Sequence, residues 1–445
     1  MKIFIFNLLL ITVLPLASFS QQEPTYWNIE NQHGENILLT ISINRETRTF
    51  VAHTRKDALK DIAGSIAYMA ARTAGILKYP EIVHVEGGIS EKSDTIYTDG
   101  TFTYLNKSLR FSAKIWQNRL KGFMEEDKNN VFYLNGEKIP SDKPLYDYRI
   151  ITARAFSLAD EYSCDQKRLR SAEWKNFVVD VNKLSPTIAD DNELYSTIYW
   201  HGHFLSGIDF EIKKNRKNSL EQNTSKATAP VEVKKGTALI DMNNLPEDPQ
   251  RMEQLFREIR AKGFTSLIID ARGKKPVPVK SVLQLTDHLT RKPSVLGAYF
   301  TRKWSGFGVQ PPEPGDFEKS VTSFRKLAGG EKELLNAPGG FLKTEPSSSF
   351  FSGRVYILVG RKTSGVVEAF AIWMKNEKAG ILVGQKSSGS PGITMPVYID
   401  YQYFVPLQVA QFYDRYGKSW INEGVPPDIR VANEDALSYL LKTME

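Results

Sequence analysis

Between Thr237 and Val383, short, mostly apolar runs alternate with segments whose apolar residues recur at helical spacing. The runs are Thr237–Met242, Ser266–Ile269, Val355–Val359 and Ile381–Val383. The clearest helix between them carries Met252, Leu255, Phe256 and Ile259, an i, i+3, i+4, i+7 stripe. Asp248 stands at its N-cap position, Pro249 at its first helical position and Gly263 just past its end. Two more helices are expected, over Val279–Thr290 and Val366–Asn376. Runs that are apolar on both faces belong to strands covered on both sides, and a strand–helix–strand order at this spacing means parallel pairing by right-handed crossovers. Residues 236–445 are therefore read as an α/β domain with a largely parallel sheet. Leu239-Ile240, Leu267–Ile269 and Tyr356–Val359 are expected to be neighbouring buried strands.

The rest of the chain has a different grain. Over 24–146, runs that mix β-branched or aromatic residues with polar ones (Asn36–Asn44, Asp94–Leu105, Ser108–Trp116, Arg119–Glu125, Asn130–Leu134) are divided by turn chemistry. Asn135-Gly136 reads as a further tight turn. An antiparallel β domain, curled or barrel-like, is expected. Ala58–Ala74 interrupts it with helix-compatible spacing. Residues 147–212 switch to helical periodicity and form a short helical domain. The polar tract 213–235 reads as a linker. The fold class is thus multidomain α+β.

The N-terminus bears on compartment. Lys2, the apolar run Ile3–Leu14 and the small residues Ala17, Ser18 and Ser20 make the layout of a signal peptide, 1–20, removed near Ser20. The run is short for a membrane span, and no Cys follows it to accept a lipid. Export to the periplasm or beyond is expected, with no transmembrane segment in the mature chain. Cys164 is the single cysteine of the 445 residues, so no intrachain disulfide forms and stability rests on burial, for which a 41% hydrophobic content suffices. An apparent helix, Arg154–Arg170, holds Cys164 as a small core residue. The formal charge of +7 is spread along the chain, and its one concentration, Lys213–Lys217, reads as a solvated loop rather than a nucleic-acid site. With no phosphate-binding loop, zinc-type Cys/His spacing or acidic calcium loop, no cofactor or metal is expected.

Three segments of the last domain fall in a telling order. Leu267–Gly273 ends in Asp270-Ala271-Arg272-Gly273; Tyr356–Gly360, Thr363, Glu368 and Ala371 precede Ile381–Gly384; and Glu423-Gly424-Val425-Pro426-Pro427-Asp428-Ile429 follows. This resembles the tail-specific (C-terminal processing) and tricorn-type serine peptidases over about residues 236–432, with a weaker extension back to Trp174–Ile212. The resemblance implies peptide-bond hydrolysis by a serine at a helix start, a lysine or histidine base and a backbone oxyanion hole. Peptides or proteins would be the substrates or partners. Trp200-His201-Gly202-His203-Phe204 is similar to the segment that supplies the base histidine in the tricorn-type branch, which places His203 there and leaves His201 structural.

The sequence departs from that pattern at each catalytic element. The nucleophile position falls on Gly365, one residue after Ser364, and the lysine position on Ser390, with Lys386 nearby. Lys274-Lys275-Pro276-Val277-Pro278 replaces the glycines after Gly273, and proline has no N–H to donate. Three readings stay open. One is a weak peptidase with Ser364 as nucleophile, His203 as base, Glu423 orienting the base, and the N–H groups of Gly365 and Val366 as oxyanion donors. Another is a catalytically inactive relative that binds peptides or an envelope protein through the old cleft. A third gives the β domain a carbohydrate or adhesion role through aromatics such as Trp27, Tyr97 and Trp116.

Overall fold

The computed structural model describes residues 23–127, 130–215, 230–273, 275–327 and 329–444. The expected leader, 1–20, and residues 216–229 of the expected linker lie outside the described residues. The chain forms two compact units, one of residues up to Tyr146 plus Thr187–Trp200, the other of Asp147–Pro186 plus His201–Glu445.

The first unit is a closed antiparallel barrel of eight strands in sequential order: β1 (Thr25–Asn31), β2 (Asn36–Asn44), β3 (Thr49–His53), β4 (Val83–Lys92), β5 (Thr95–Tyr104), β6 (Lys107–Trp116), β7 (Arg119–Asp127) and β8 (Asn130–Ile139). Alternation builds its core: along β6, Phe111, Ala113 and Ile115 point inward. The interior is filled, with a free volume of about 20 Å³ among residues such as Ile29, Phe50, Phe102 and Leu134, room for about one water. The expected turn at Asn135-Gly136 is instead the middle of β8, where Gly136 pairs with Ile29 on one side and Leu120 on the other. A Cβ at Gly136 would come within 2.5 Å of Ile29 Cδ1, so the glycine makes room for a core side chain rather than for a reversal. Ala58–Ala74 folds as α1 (Ala58–Ala63) and α2 (Ser65–Thr73), joined at Gly64 with φ +74°.

Four helices follow, α3 (Tyr148–Tyr162), α4 (Gln166–Leu169), α5 (Ala172–Leu184) and α6 (Asp191–Ile198). They do not make a domain of their own, because α6 belongs to the barrel unit. The reason is local. β3 pairs with β2 only from Thr40 onward, which leaves the N–H groups of Asn36 and Leu38 without a strand partner. The buried carboxylates of Asp191 and Asp190 accept them, each at 2.8 Å, and Glu193 takes Arg55 in a two-pronged ion pair at 3.1–3.2 Å. Burial, followed by the charge of Glu193, raises the Asp190 carboxyl well above the usual carboxylate range, to about 8. The expected helix Arg154–Arg170 breaks at Ser163, whose extended backbone caps α3. Cys164 sits in the following loop, buried, with its N–H on the Gln408 carbonyl and its thiol pushed up to about 12 by burial. It is a core residue.

The second unit carries two sheets. The first runs β10 (Val231–Lys234), β11 (Thr237–Asp241), β12 (Ser266–Asp270), β16 (Arg354–Val359), β17 (Ile381–Gly384) and β20 (Ile429–Arg430), all parallel except β10. The three expected neighbours β11, β12 and β16 lie side by side. The second, mostly antiparallel, is ordered β14 (Thr322–Ser323), β15 (Gly339–Lys343), β13 (Val295–Phe300), β19 (Tyr403–Asp414) and β18 (Ile393–Tyr398), with β9 (Lys213–Lys214) on β19. Lys213–Lys214 and Val231–Lys234, expected as linker, are therefore paired strands. The helices are α7 (Pro249–Ala261), α8 (Val279–Asp287), α9 (Phe317–Ser320), α10 (Gly365–Asn376) and α11 (Ala436–Thr443). Every residue of α10 from Val366 to Met374 is buried, and the helix touches β17 of one sheet and β13, β18 and β19 of the other. A helix apolar on all sides belongs in such a layer. Its N-terminus is thereby fixed in place.

Candidate functional site

The turn between β16 and α10 is locked before α10 begins. Thr363 is fully buried; its hydroxyl accepts from Gly360 N–H at 3.0 Å and donates to the Ala271 carbonyl at 2.7 Å. That bond ties the turn to the Asp-x-Arg segment at the end of β12. Arg272 closes a two-pronged pair with Asp270 (2.8 and 2.6 Å) and donates to the Asn433 carbonyl at 2.6 Å. The bond to Asp270 raises the Arg272 guanidinium above its usual range.

Ser364 follows as the N-cap residue, extended at φ −149°, exposed, and without a side-chain bond to the helix it precedes. Gly365 opens α10 at φ +60°, left-handed backbone that costs a residue with a side chain roughly 1–2 kcal/mol. An added Cβ there would meet nothing nearer than the Gly392 carbonyl at 3.8 Å. The position expected for the nucleophile is thus sterically open but carries no side chain. Gly365 N–H, expected as an oxyanion donor, instead donates to the Ser390 carbonyl at 2.7 Å. Of the expected pair, only Val366 N–H has no such loop partner among the bonds described.

Loop 385–390, where the lysine position falls on Ser390, is organised by one buried carboxylate. Glu368, in the first turn of α10, accepts from the Ser387 hydroxyl, the Ser388 hydroxyl (3.1 Å), Gly389 N–H (2.8 Å) and Ser390 N–H (2.7 Å). The helix dipole favours a negative charge at this end. The closing motif is tied to the same loop through Val425 N–H on the Ser387 hydroxyl at 2.6 Å. Glu423 itself is exposed and pairs with Lys418 Nζ at 2.7 Å, a solvated carboxylate rather than one that orients a base.

In front of Ser364 and Gly365 lies a cavity of about 440 Å³. One wall is Lys275–Val279, one the start of α10, and one the stretch Gly392–Pro396 with strand β18. Gly273, Ser390, Glu331 and Lys332 complete the lining. His203, exposed in a π-helical turn (Tyr199–Phe204), is not among the lining residues, nor are Lys386 and Glu423. The structure therefore gathers Ser364, Gly365, Val366 and Ser390 at one place and leaves His203 and Glu423 off its walls. His201 stands 3.4 Å from Asp180, in keeping with a structural role. Two amides after Gly273 are already taken: Lys275 N–H by Asn243 Oδ1 (3.2 Å) and Val279 N–H by Glu331 Oε1 (2.6 Å). With Pro276 and Pro278 between, this wall offers little to an oxyanion. The motifs gave no hint of Glu331, Lys332 or β18, which reach the cavity from distant sequence.

A Ser–His–carboxylate row unseen in the sequence lies elsewhere in the unit. Ser349 Oγ is 2.9 Å from His288 Nδ1, and Glu253 is 3.8 Å from Nε2. The ring stacks on Phe256 with centroids 4.3 Å apart, and both His288 and Ser349 are buried. Burial holds the imidazole below its usual pKa, and the Ser347 and Ser349 hydroxyls both donate to Glu253. Closed to any substrate, the row fastens the loop before β16 to α7 and α8.

Residues 236–431 match the model of peptidase family S41. The C-terminal part of this chain belongs to that family. The solved structures to which the chain is similar are distant. A lipoprotein from Streptococcus agalactiae is 12% identical with a TM-score of 0.43, over 67% of this chain and 98% of its own. The photosystem II D1 C-terminal processing protease is 12% identical with a TM-score of 0.32, over 72% and 57%. The tricorn protease is 10% identical with a TM-score of 0.38, over 91% and 52%. Among curated proteins no match is found. The family assignment rests on the family model. No helix among the described residues of this S41 protein is long and apolar enough to cross a membrane.

Proposed function

We propose that this exported S41 protein binds peptide segments in its cleft, with hydrolysis lost or far below what the family's catalytic set provides. Gly365 carries the reading. The left-handed turn and the open space of a nucleophile position are kept, while the side chain is absent and the N–H is spent on Ser390. The cleft walls suit a peptide. Val277, Val366, Ile393 and Met395 offer apolar surface, and β18 is the edge of its sheet. Pro396 faces Pro406 across β18–β19, and neither can donate, as suits a non-hydrogen-bonded pair. By alternation, Thr394 then turns its N–H and carbonyl outward, free to pair with an extended chain.

The weaker alternative, a peptidase acting through Ser364, draws on one observation: that hydroxyl is exposed on the cavity and does not cap the helix. A single set of measurements separates the two. Unstructured, apolar-rich peptides are offered to the purified protein, with binding followed by fluorescence polarisation and cleavage by chromatography. Saturable binding without turnover, weakened tenfold or more by Val277→Asp, is the expected result. Turnover abolished by Ser364→Ala and His203→Ala would replace the proposal with the peptidase reading. No binding at all would remove both.

A further inference from the structure

The barrel unit has a cavity of its own, independent of the S41 cleft. It lies at one mouth of the barrel, occupies about 470 Å³, and falls within the size range of small-molecule sites. The floor is apolar: Trp27, Ile41 and Ile115 close off the interior. Trp27 is held in orientation, its Nε1–H donating to Thr25 Oγ1 at 2.9 Å while that hydroxyl donates to the Ile41 carbonyl at 3.2 Å. A second indole, Trp116, stands on the wall with Lys114 Nζ 5.2 Å from its ring centre. Tight turns at Ser93-Asp94 and Gln117-Asn118, with φ of +53° at Ser93 and +52° at Gln117, carry polar groups onto the rim.

Chemistry narrows what fits. The barrel below the floor is full, so no acyl chain can descend into it. The rim holds three carboxylates against two cations, and Arg45 and Glu91 neutralise each other at 2.8 Å. No strong charge of one sign selects an ion. What remains is an indole-and-aliphatic floor under a ring of donors and acceptors of both kinds. That combination suits a neutral molecule with one apolar face and hydroxyls around its edge. We propose that the barrel mouth is a binding site for a short neutral saccharide, stacked against Trp116 over the buried Trp27 floor and held by the rim. Of the aromatics singled out in the sequence, Trp27 and Trp116 meet in this cavity, whereas Tyr97 is not part of its lining.

The test titrates the full purified chain with cellobiose, maltose and N,N′-diacetylchitobiose, by tryptophan fluorescence and calorimetry. At least one should give a saturable change with a dissociation constant on the order of 1 mM, typical of a small polar ligand on so shallow a surface. Trp116→Ala and Asp94→Ala should each weaken that binding tenfold or more, with unchanged far-UV circular dichroism showing that the barrel still forms. Three results overturn the proposal: none of the sugars binds up to about tenfold above that constant; binding is unaffected in both variants; or palmitate, not sugar, shifts the indole fluorescence.

Discussion

Glu368 allows the sharpest test of how the S41 cleft is held. In Glu368→Gln the side chain keeps its size but exchanges one acceptor oxygen for an NH2 group. Oε1 now receives the Ser387 hydroxyl and Gly389 N–H, and Oε2 the Ser388 hydroxyl and Ser390 N–H. Whichever way the amide turns, one backbone N–H faces an NH2 group and loses its partner, while a hydroxyl can rotate to accept. Stranding a buried donor costs about 1–3 kcal/mol, and the remaining bonds lose the strengthening that the charge gave them. Relief of the desolvation cost of a buried charge offsets part of this, so a net loss of about 2–3 kcal/mol is expected. For a unit of this size each kcal/mol lowers the melting temperature by about 2–4 °C, giving a drop of roughly 4–12 °C. Hydrogen exchange reads the same event locally: the Gly389 and Ser390 amides should lose protection first. A melting temperature within about 1 °C of the parent's, with those two amides exchanging at parental rates, would refute the idea that this carboxylate organises the loop.

Restoring a hydroxyl by Gly365→Ser should fold, since the space is open, but lower stability by about 1–2 kcal/mol for the left-handed backbone. It should add no measurable peptide hydrolysis, because neither His203 nor Lys386 lines the cavity; a chromogenic peptide assay showing turnover in this variant alone would contradict that. The barrel unit should become less stable as pH rises from about 4 to about 8. An Asp190 raised above its unfolded value of 3.8 binds its proton more tightly when folded, so its contribution is full below that value and is lost as pH climbs through the folded pKa. Melting curves across this range, compared with Asp190→Asn, check it: the variant's slope should be flatter.

How legible was this chain? Helix α7 announced itself, because its stripe, cap residue, proline and terminal glycine all act within one stretch of sequence. The parallel strands β11, β12 and β16 were equally plain, since burial on both faces leaves their central positions apolar, with polar residues only at the ends. Gly136 was misread because its pressure comes from Ile29, more than a hundred residues away, not from its neighbours. The second sheet was missed for a related reason: β13, β15 and the β18–β19 hairpin are brought together from segments far apart in sequence. At the site, the motifs located Ser364, Gly365 and Ser390 but not the contacts that define them. Glu331 caps α8 across 52 residues, and Asn243 occupies an amide that no local pattern ties to it.

The placement of α6 has a consequence for how the molecule is made. Barrel strands β1–β8 are complete by Ile139, yet the carboxylates that satisfy Asn36 and Leu38 arrive with Asp190 and Asp191, about fifty residues later. At a synthesis rate of about 5–20 residues per second, the nascent barrel waits several seconds with two strand amides open. During that interval it is a sheet with an unfinished seam. A fragment cut at Tyr146 would stay in that condition permanently, and its weak point would be the stretch of β2 beyond the reach of β3.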